Sequence, residues 1–202
     1  MPGTRVVLQD AGGKQLDVSI SDADGKVSFN LDTASTYSVL AERSGYFAAR
    51  TSVVTKGKTP PQASLTRPMT DINLSATLTL SRIVKDRAIV VENIFYDLDK
   101  ADIRPDAAQE LDKLVQTLND NPKITIELSS HTDVRGKDAY NLDLSQRRAQ
   151  SAVDYIISKG IAPGRITAKG YGETRLVVKD AKTEEEHQRN RRTEFKVTRI
   201  AE

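Results

Sequence analysis

The 202-residue sequence predicts an α+β protein: a small all-β sandwich, then a βαβαβ α/β sandwich. Three observations lead there. Between residues 4 and 55, apolar and polar residues alternate in short runs broken by Gly/Asp turns, the pattern of half-buried strands. Beyond residue 88, strand-like runs alternate with apolar residues at helical spacing. Between the two, Lys56-Gly57-Lys58-Thr59-Pro60-Pro61-Gln62 is polar and rich in Gly and Pro, a linker composition. The expected domains are therefore 1–56 and 71–202, joined by a linker at 57–70.

In the first domain, Val6-Val7-Leu8 opens a strand that ends in the turn Asp10-Ala11-Gly12-Gly13-Lys14. Leu16, Val18 and Ile20 alternate in the next strand, and Val27, Phe29 and Leu31 in a third. Tyr37, Val39 and Ala41 mark a fourth, and a last one lies at 51–54. Asp22-Ala23-Asp24-Gly25 has the start of a calcium loop, but the position for the closing bidentate acid is Thr33, so the segment reads as a turn.

Ile72, Leu74, Ala76, Leu78 and Leu80 alternate as a strand leading into the second domain. There, Ile89-Val90-Val91 and Ile94-Phe95-Tyr96 bracket a strand region. Pro105 suits a first helical turn, and Leu111, Leu114, Val115 and Leu118 form one face of that helix, ended by Asn121-Pro122. Ile124, Ile126 and Leu128 alternate as a strand. A helix is expected over 144–158, a strand over 165–169, a short polar helix near 183–190, and a closing strand with Phe195 and Val197.

Composition narrows the function. Thirty basic and 28 acidic residues leave a net charge of +2, too little excess to favour duplex binding through counterion release. No run approaches the ~18 apolar residues of a membrane span. Without cysteine there are no disulfides or thiolate metal sites, which leaves cytosol and periplasm both open. Nor does a charged-then-apolar leader precede Arg5, as in a trimmed, mature fragment.

The informative side chain is Arg148, one turn after Leu144 and one turn before Ala152, bordering an apolar stripe. A guanidinium there must find an anion or keep its head in solvent. Asp133, in the loop Ser129-Ser130-His131-Thr132-Asp133 after the third strand region, is a candidate partner. The two form either a structural ion pair or a separated pair that takes a zwitterion, ammonium on Asp133 and carboxylate on Arg148. Spacing alone leaves both open.

Several motifs agree with a known family. Ser130-His131-Thr132-Asp133-x-x-Gly136, Tyr140-Asn141-x-x-Leu144-Ser145-x-x-Arg148-Ala149, Gly170-Tyr171-Gly172-Glu173 and Asn190-Arg191-Arg192-Thr193-Glu194 together resemble the OmpA-like C-terminal domain. Ile94-Phe95-Tyr96-Asp97 with Lys100-Ala101 and Pro105 fits as well, so the likeness spans residues 90–199. Ser130 stands where many members have glycine. The resemblance implies non-catalytic binding of peptidoglycan through the diaminopimelate of its stem peptide, periplasmic and outer-membrane-associated. Carried over by motif, Asp133 takes the ammonium and Arg148 the carboxylate, and Asn141 and Thr132 add hydrogen bonds. Asp97 and Asp99 reach stem or glycan. Arg191 is either a ligand contact or a brace for the last strand. No cofactor or metal is implied.

Asp24-Gly25-Lys26-Val27-Ser28-Phe29, Tyr37-Ser38-Val39 and Gly45-Tyr46 resemble the carboxypeptidase regulatory-like domain, a transthyretin-type sandwich without peptidase chemistry, here lacking its opening strand. The pairing of the two domains resembles cell-surface proteins of Bacteroidetes-type bacteria.

The enzyme alternative is poorly supplied. Zinc hydrolysis needs about three protein ligands, whereas His131 and His187 lie far apart, and only the run Glu184-Glu185-Glu186 could supplement them. Ser129 or Ser130 beside His131 is poorly placed as a nucleophile–base pair, because neighbouring strand residues face opposite sides. A protein–protein adaptor working through strand edges is the other alternative.

Overall fold

The computed structural model describes residues 1–58, 72–92, 94, 96 and 100–201. The chain divides into two compact units, Met1–Ile83 and Val84–Glu202.

The first unit is all-β. Strands β1 (Arg5–Asp10), β2 (Gln15–Ile20), β3 (Thr36–Glu42) and β4 (Ala49–Val54) form one antiparallel sheet in the order β2-β1-β3-β4. The hairpin between β1 and β2 turns on Asp10, whose carboxylate accepts the Gly12 and Lys14 backbone N–H groups. Asp22 does the same for Asp24 and Lys26, so its carboxylate is spent on the turn.

Two expected strands are absent from the ladders of the described residues. Val27, Phe29 and Leu31 are half-buried and alternate with exposed neighbours, yet the segment pairs with no strand. It is tied down near Asp32 instead, whose N–H donates to the Tyr37 hydroxyl and whose carbonyl accepts from Thr55. Residues 72–80 likewise enter no ladder; contact begins at the Tyr46–Arg82 bridge, flanked by Phe47 N–H to Ser81 O and Ile83 N–H to Gly45 O. Val27, Phe29, Leu31, Ile72 and Leu74 line a cavity of about 700 Å³ over the sheet face that carries Leu8 and Val39. Alternation thus reports which side chains face the sheet, not which backbones pair.

The second unit is α/β. It comprises β5 (Ala88–Val91), α1 (Pro105–Asp120), β6 (Ile124–Ser130), α2 (Asp138–Ser158), β7 (Ile166–Gly170), α3 (Glu184–Asn190) and β8 (Thr193–Ile200). Its sheet runs β5-β8-β6-β7, with β6 and β7 parallel and β8 antiparallel to both β5 and β6. Helix α2 packs on β6 and β7, and α1 packs on α2. Leu111, Leu114, Val115 and Leu118 of α1, Ile126 and Leu128 of β6, and Val153 and Ile156 of α2 are buried in this core. Tyr96, at the end of the expected 94–96 run, lies outside the strand proper.

Helix α2 begins six residues before the expected Leu144. Its first turns carry Asp138, Tyr140 and Asp143, so no apolar stripe announces them; Asp138 in the first turn complements the helix dipole. Arg165 closes the far end of the sheet, its guanidinium donating to the Leu118 and Asn121 carbonyls at the α1 terminus and to Ile124 O at the start of β6.

Among the described residues no helix is long and apolar enough to cross a membrane.

Candidate functional site

Three motif segments converge where β6 ends, because β6 lies between β7 and β8. His131 N–H donates to Arg192 O, Thr132 N–H to Gly172 O, and Tyr171 N–H to Ser130 O. The Ser-His-Thr-Asp, Gly-Tyr-Gly-Glu and Asn-Arg-Arg stretches are therefore stitched by main-chain bonds. The α2 side is equally close. Gly170 N–H donates to Gln146 Oε1 and Gly172 N–H to Ser145 Oγ. Asn190, fully buried, accepts the Val177 and Val178 N–H groups and donates to Val178 O, pinning the loop before α3.

Asp133 is buried, and its carboxylate is crowded with donors. One oxygen accepts the Arg135 backbone N–H at 3.0 Å. The other accepts Arg135 Nε at 3.0 Å, Arg135 Nη2 at 2.7 Å and Arg191 Nη1 at 2.6 Å. Glu184, at the start of α3, pairs with both arginines, closing a ring of two acids and two bases. Burial alone would raise the Asp133 carboxyl, but the bonds from Arg135 and then Arg191 hold it at about 2.

Asn141 donates from Nδ2 to Asp133 O, Arg135 O and the Glu173 carboxylate, bracing the loop across its Gly136 turn. That turn has φ +111°, a conformation that favours glycine. Thr132 is buried, and its hydroxyl has no hydrogen-bond partner among the described residues.

Arg148 is also buried. Its Nε donates to Lys100 O at 2.9 Å, its guanidinium carbon sits 4.8 Å from the Tyr96 ring centroid, and the Tyr96 hydroxyl donates to Arg148 O. Among the described residues, the ion-pair partners of Asp133 are Arg135 and Arg191, with His187 Nδ1 at 3.9 Å; Arg148 is not one of them. Arg148 and Arg191 instead line one cavity of about 60 Å³, with Tyr96, Ser130, His131 and Thr193. At roughly 30 Å³ per water, that is room for a couple of waters or one small polar group. Asp97 and Asp99 lie outside the described residues.

The hydroxyls beside His131 are occupied elsewhere: Ser130 Oγ lies 3.2 Å from Thr193 Oγ1, and Ser129 Oγ donates to Glu194 O. His131 stacks on Tyr171, with Nε2 3.1 Å from the Glu194 carboxylate but out of line for a hydrogen bond. Burial pushes its pKa down, so the ring is neutral at neutral pH.

Both shifts have the same sign for stability. A depressed folded-state pKa contributes stability above the unfolded value and loses it on acidification. For His131 the loss starts below 6.5; for Asp133 it falls between 3.8 and about 2. Asp133 should therefore stay ionised to pH about 2 in a carbon-13 NMR titration, and Arg191→Ala should move its midpoint up. An unmoved midpoint would contradict the ion pair.

Of the residues singled out by sequence, Asp133, Thr132, Asn141 and Arg191 meet in one loop cluster, and Arg148 joins it through the shared cavity. Sequence reading missed Arg135, and it took Glu184 only as part of an acidic run and Asn190 only as part of a motif. One signal was available: Thr183-x-x-Glu186 is a capping box, and it sets the start of α3 and so the place of Glu184.

The OmpA family model matches residues 95–191. The peptidoglycan-associated lipoprotein of Brucella melitensis is 39% identical over 115 residues, which cover 56% of this chain and 68% of that protein. The chain belongs to the OmpA family. Outer membrane porin F of Pseudomonas fluorescens is 40% identical over 105 residues, which cover 52% of this chain and only 32% of the porin's length. A solved cell wall anchor from Pseudomonas aeruginosa is 30% identical, with a TM-score of 0.48 over 57% of this chain and 80% of that one.

Proposed function

We propose that this OmpA-family chain binds the peptide stems of peptidoglycan without catalysing a reaction on them. In the periplasm it would anchor an outer-membrane protein or complex to the cell wall. The observation that carries this reading is the pair of buried opposite charges, Asp133 and Arg148. Each is held by neighbours other than its counterpart, and Arg191, which pairs with Asp133, lines a small cavity together with Arg148. Such a pair suits a zwitterion, and diaminopimelate presents an ammonium and a carboxylate on one carbon. Asp133 takes the ammonium and Arg148 the carboxylate in a fork. Thr132 offers its unpartnered hydroxyl, Asn141 its Oδ1, and Arg191 a second guanidinium beside the carboxylate. Asp97 and Asp99 would extend the contact toward stem or glycan.

Two further facts support the reading. The Brucella relative is named a peptidoglycan-associated lipoprotein. The serines next to His131 bond to β8 rather than to the imidazole, which leaves no activated nucleophile there. Charged hydrogen bonds contribute roughly 1.5–3 kcal/mol each, so a few give about −8 kcal/mol, a micromolar single site. That suffices for a tethered protein facing a dense array of stems. The first unit, with its likeness to regulatory-like sandwiches, would serve as spacer or docking module.

Co-sedimentation with purified sacculi tests the proposal. The protein should pellet with sacculi and release no soluble fragments from them. Release of fragments would mean an enzyme; a protein that stays in the supernatant would favour the adaptor reading.

A further inference from the structure

The inference that follows rests on the ammonium-binding role of Asp133 proposed above. We infer that Arg135 is a built-in latch: it occupies, in the ligand-free protein, the place at Asp133 that the ligand's ammonium takes, and a ligand must carry a cation to displace it.

The Asp133 side chain is only 6% exposed, so its carboxylate cannot be left without a cation. Of its two guanidinium partners, Arg191 is the fixed one. It is 24% exposed and bound to Gln188 and Glu184 on α3. Arg135 is the exchangeable one. Its side chain is 54% exposed, and it stands on the loop just before Gly136. The guanidinium end of this pair stands in solvent, where holding a long side chain in one geometry costs entropy.

Glu184 gives the latch an open position. It is 67% exposed and already pairs with Arg135 Nη1, so the guanidinium can leave Asp133 without losing its only counter-charge. An ammonium entering as Arg135 leaves conserves the charge around Asp133. A diacid without an amine has no cation to displace Arg135 and meets Arg148 with the latch shut, so it gains nothing when the latch is removed. Arg135 is in this sense a competitor of the ligand's ammonium for Asp133.

The latch lowers apparent affinity by the fraction of molecules in which it is open. With the guanidinium end in solvent and Glu184 as a second counter-charge, the pair corresponds to about a fivefold effect. Calorimetric titration of the whole chain with meso-diaminopimelate and with pimelate, which has the carboxylates but no amines, provides the test. Arg135→Gln should bind meso-diaminopimelate about fivefold more tightly than the wild type, while pimelate gains nothing. Arg135→Lys, which keeps the charge but not the fork, should fall between. In the wild type, saturation with meso-diaminopimelate should shift the Arg135 Nε resonance toward that of a solvent-exposed arginine. Weaker or unchanged binding of meso-diaminopimelate by Arg135→Gln would overturn the latch, and equal tightening for pimelate would reduce it to long-range charge. Absence of saturable binding in both proteins would overturn the site assignment, and the latch with it.

Discussion

Arg148→Ala is expected to reduce binding of meso-diaminopimelate by at least about 100-fold, the loss of roughly 3 kcal/mol from a bidentate charged contact. The fold should survive. Among the described residues Arg148 donates to Lys100 O and lies over the Tyr96 ring, contacts that together contribute about 1–2 kcal/mol. Arg148→Lys keeps the charge and loses the fork, so it should retain part of the stability and little of the affinity. Calorimetric titration beside urea unfolding separates the two effects. Full affinity in a folded Arg148→Ala protein would contradict its role. A stability loss that accounts for all the lost binding would make Arg148 a structural residue.

Gly170→Ala should produce the largest stability loss of any single methyl added to the second unit. A Cβ at Gly170 would stand 2.3 Å from Gln146 N, 2.6 Å from its Cα and 2.7 Å from Ser145 Oγ. The first two belong to the backbone of α2, so no rotamer change relieves the clash; the helix itself must move from the end of β7. The expected cost is about 3 kcal/mol by urea unfolding, at the upper end for overpacking. The same movement would stretch the bonds from Gly170 N–H to Gln146 and from Gly172 N–H to Ser145, and displace Arg148, which lies two residues beyond Gln146 on the same helix. Affinity should therefore fall along with stability. Gly164→Ala is the matched control, since a Cβ there meets nothing within 4 Å and the backbone is not left-handed. It should be neutral or slightly stabilising. Equal effects at the two positions would remove the steric explanation.

These residues also mark how far sequence reading reaches. Asp133 and Arg148 were legible because each sits at a fixed offset from neighbours with a clear pattern: the end of an alternating strand, and the edge of a helical stripe. The Gly-Tyr-Gly stretch was visible as a motif, but the reason for its first glycine is a contact with a helix backbone 24 positions earlier, which no local pattern encodes. Arg135 was passed over for the same reason. A charged loop residue has no periodicity, and its role depends on Glu184, which meets it only after α3 folds back.

The errors in fold had a common origin. Val27, Phe29 and Leu31 alternate in burial without pairing, whereas Ile72 and Leu74 stay exposed, and the letters alone do not tell such segments from ladder strands. The onset of α2 failed in the opposite way: its first turns face water and carry no stripe to read. The four ladder strands of the first unit and the helix and strand order of the second were legible, because their apolar periodicity extends over whole elements.

The most direct test of the zwitterion site is a titration of the isotope-labelled chain with meso-diaminopimelate, followed by amide NMR shifts. The account predicts saturable shifts confined to residues 132–141 and the surroundings of Arg148, with β1–β4 unmoved. A flat titration of a folded protein, or shifts centred on the first unit, would contradict it.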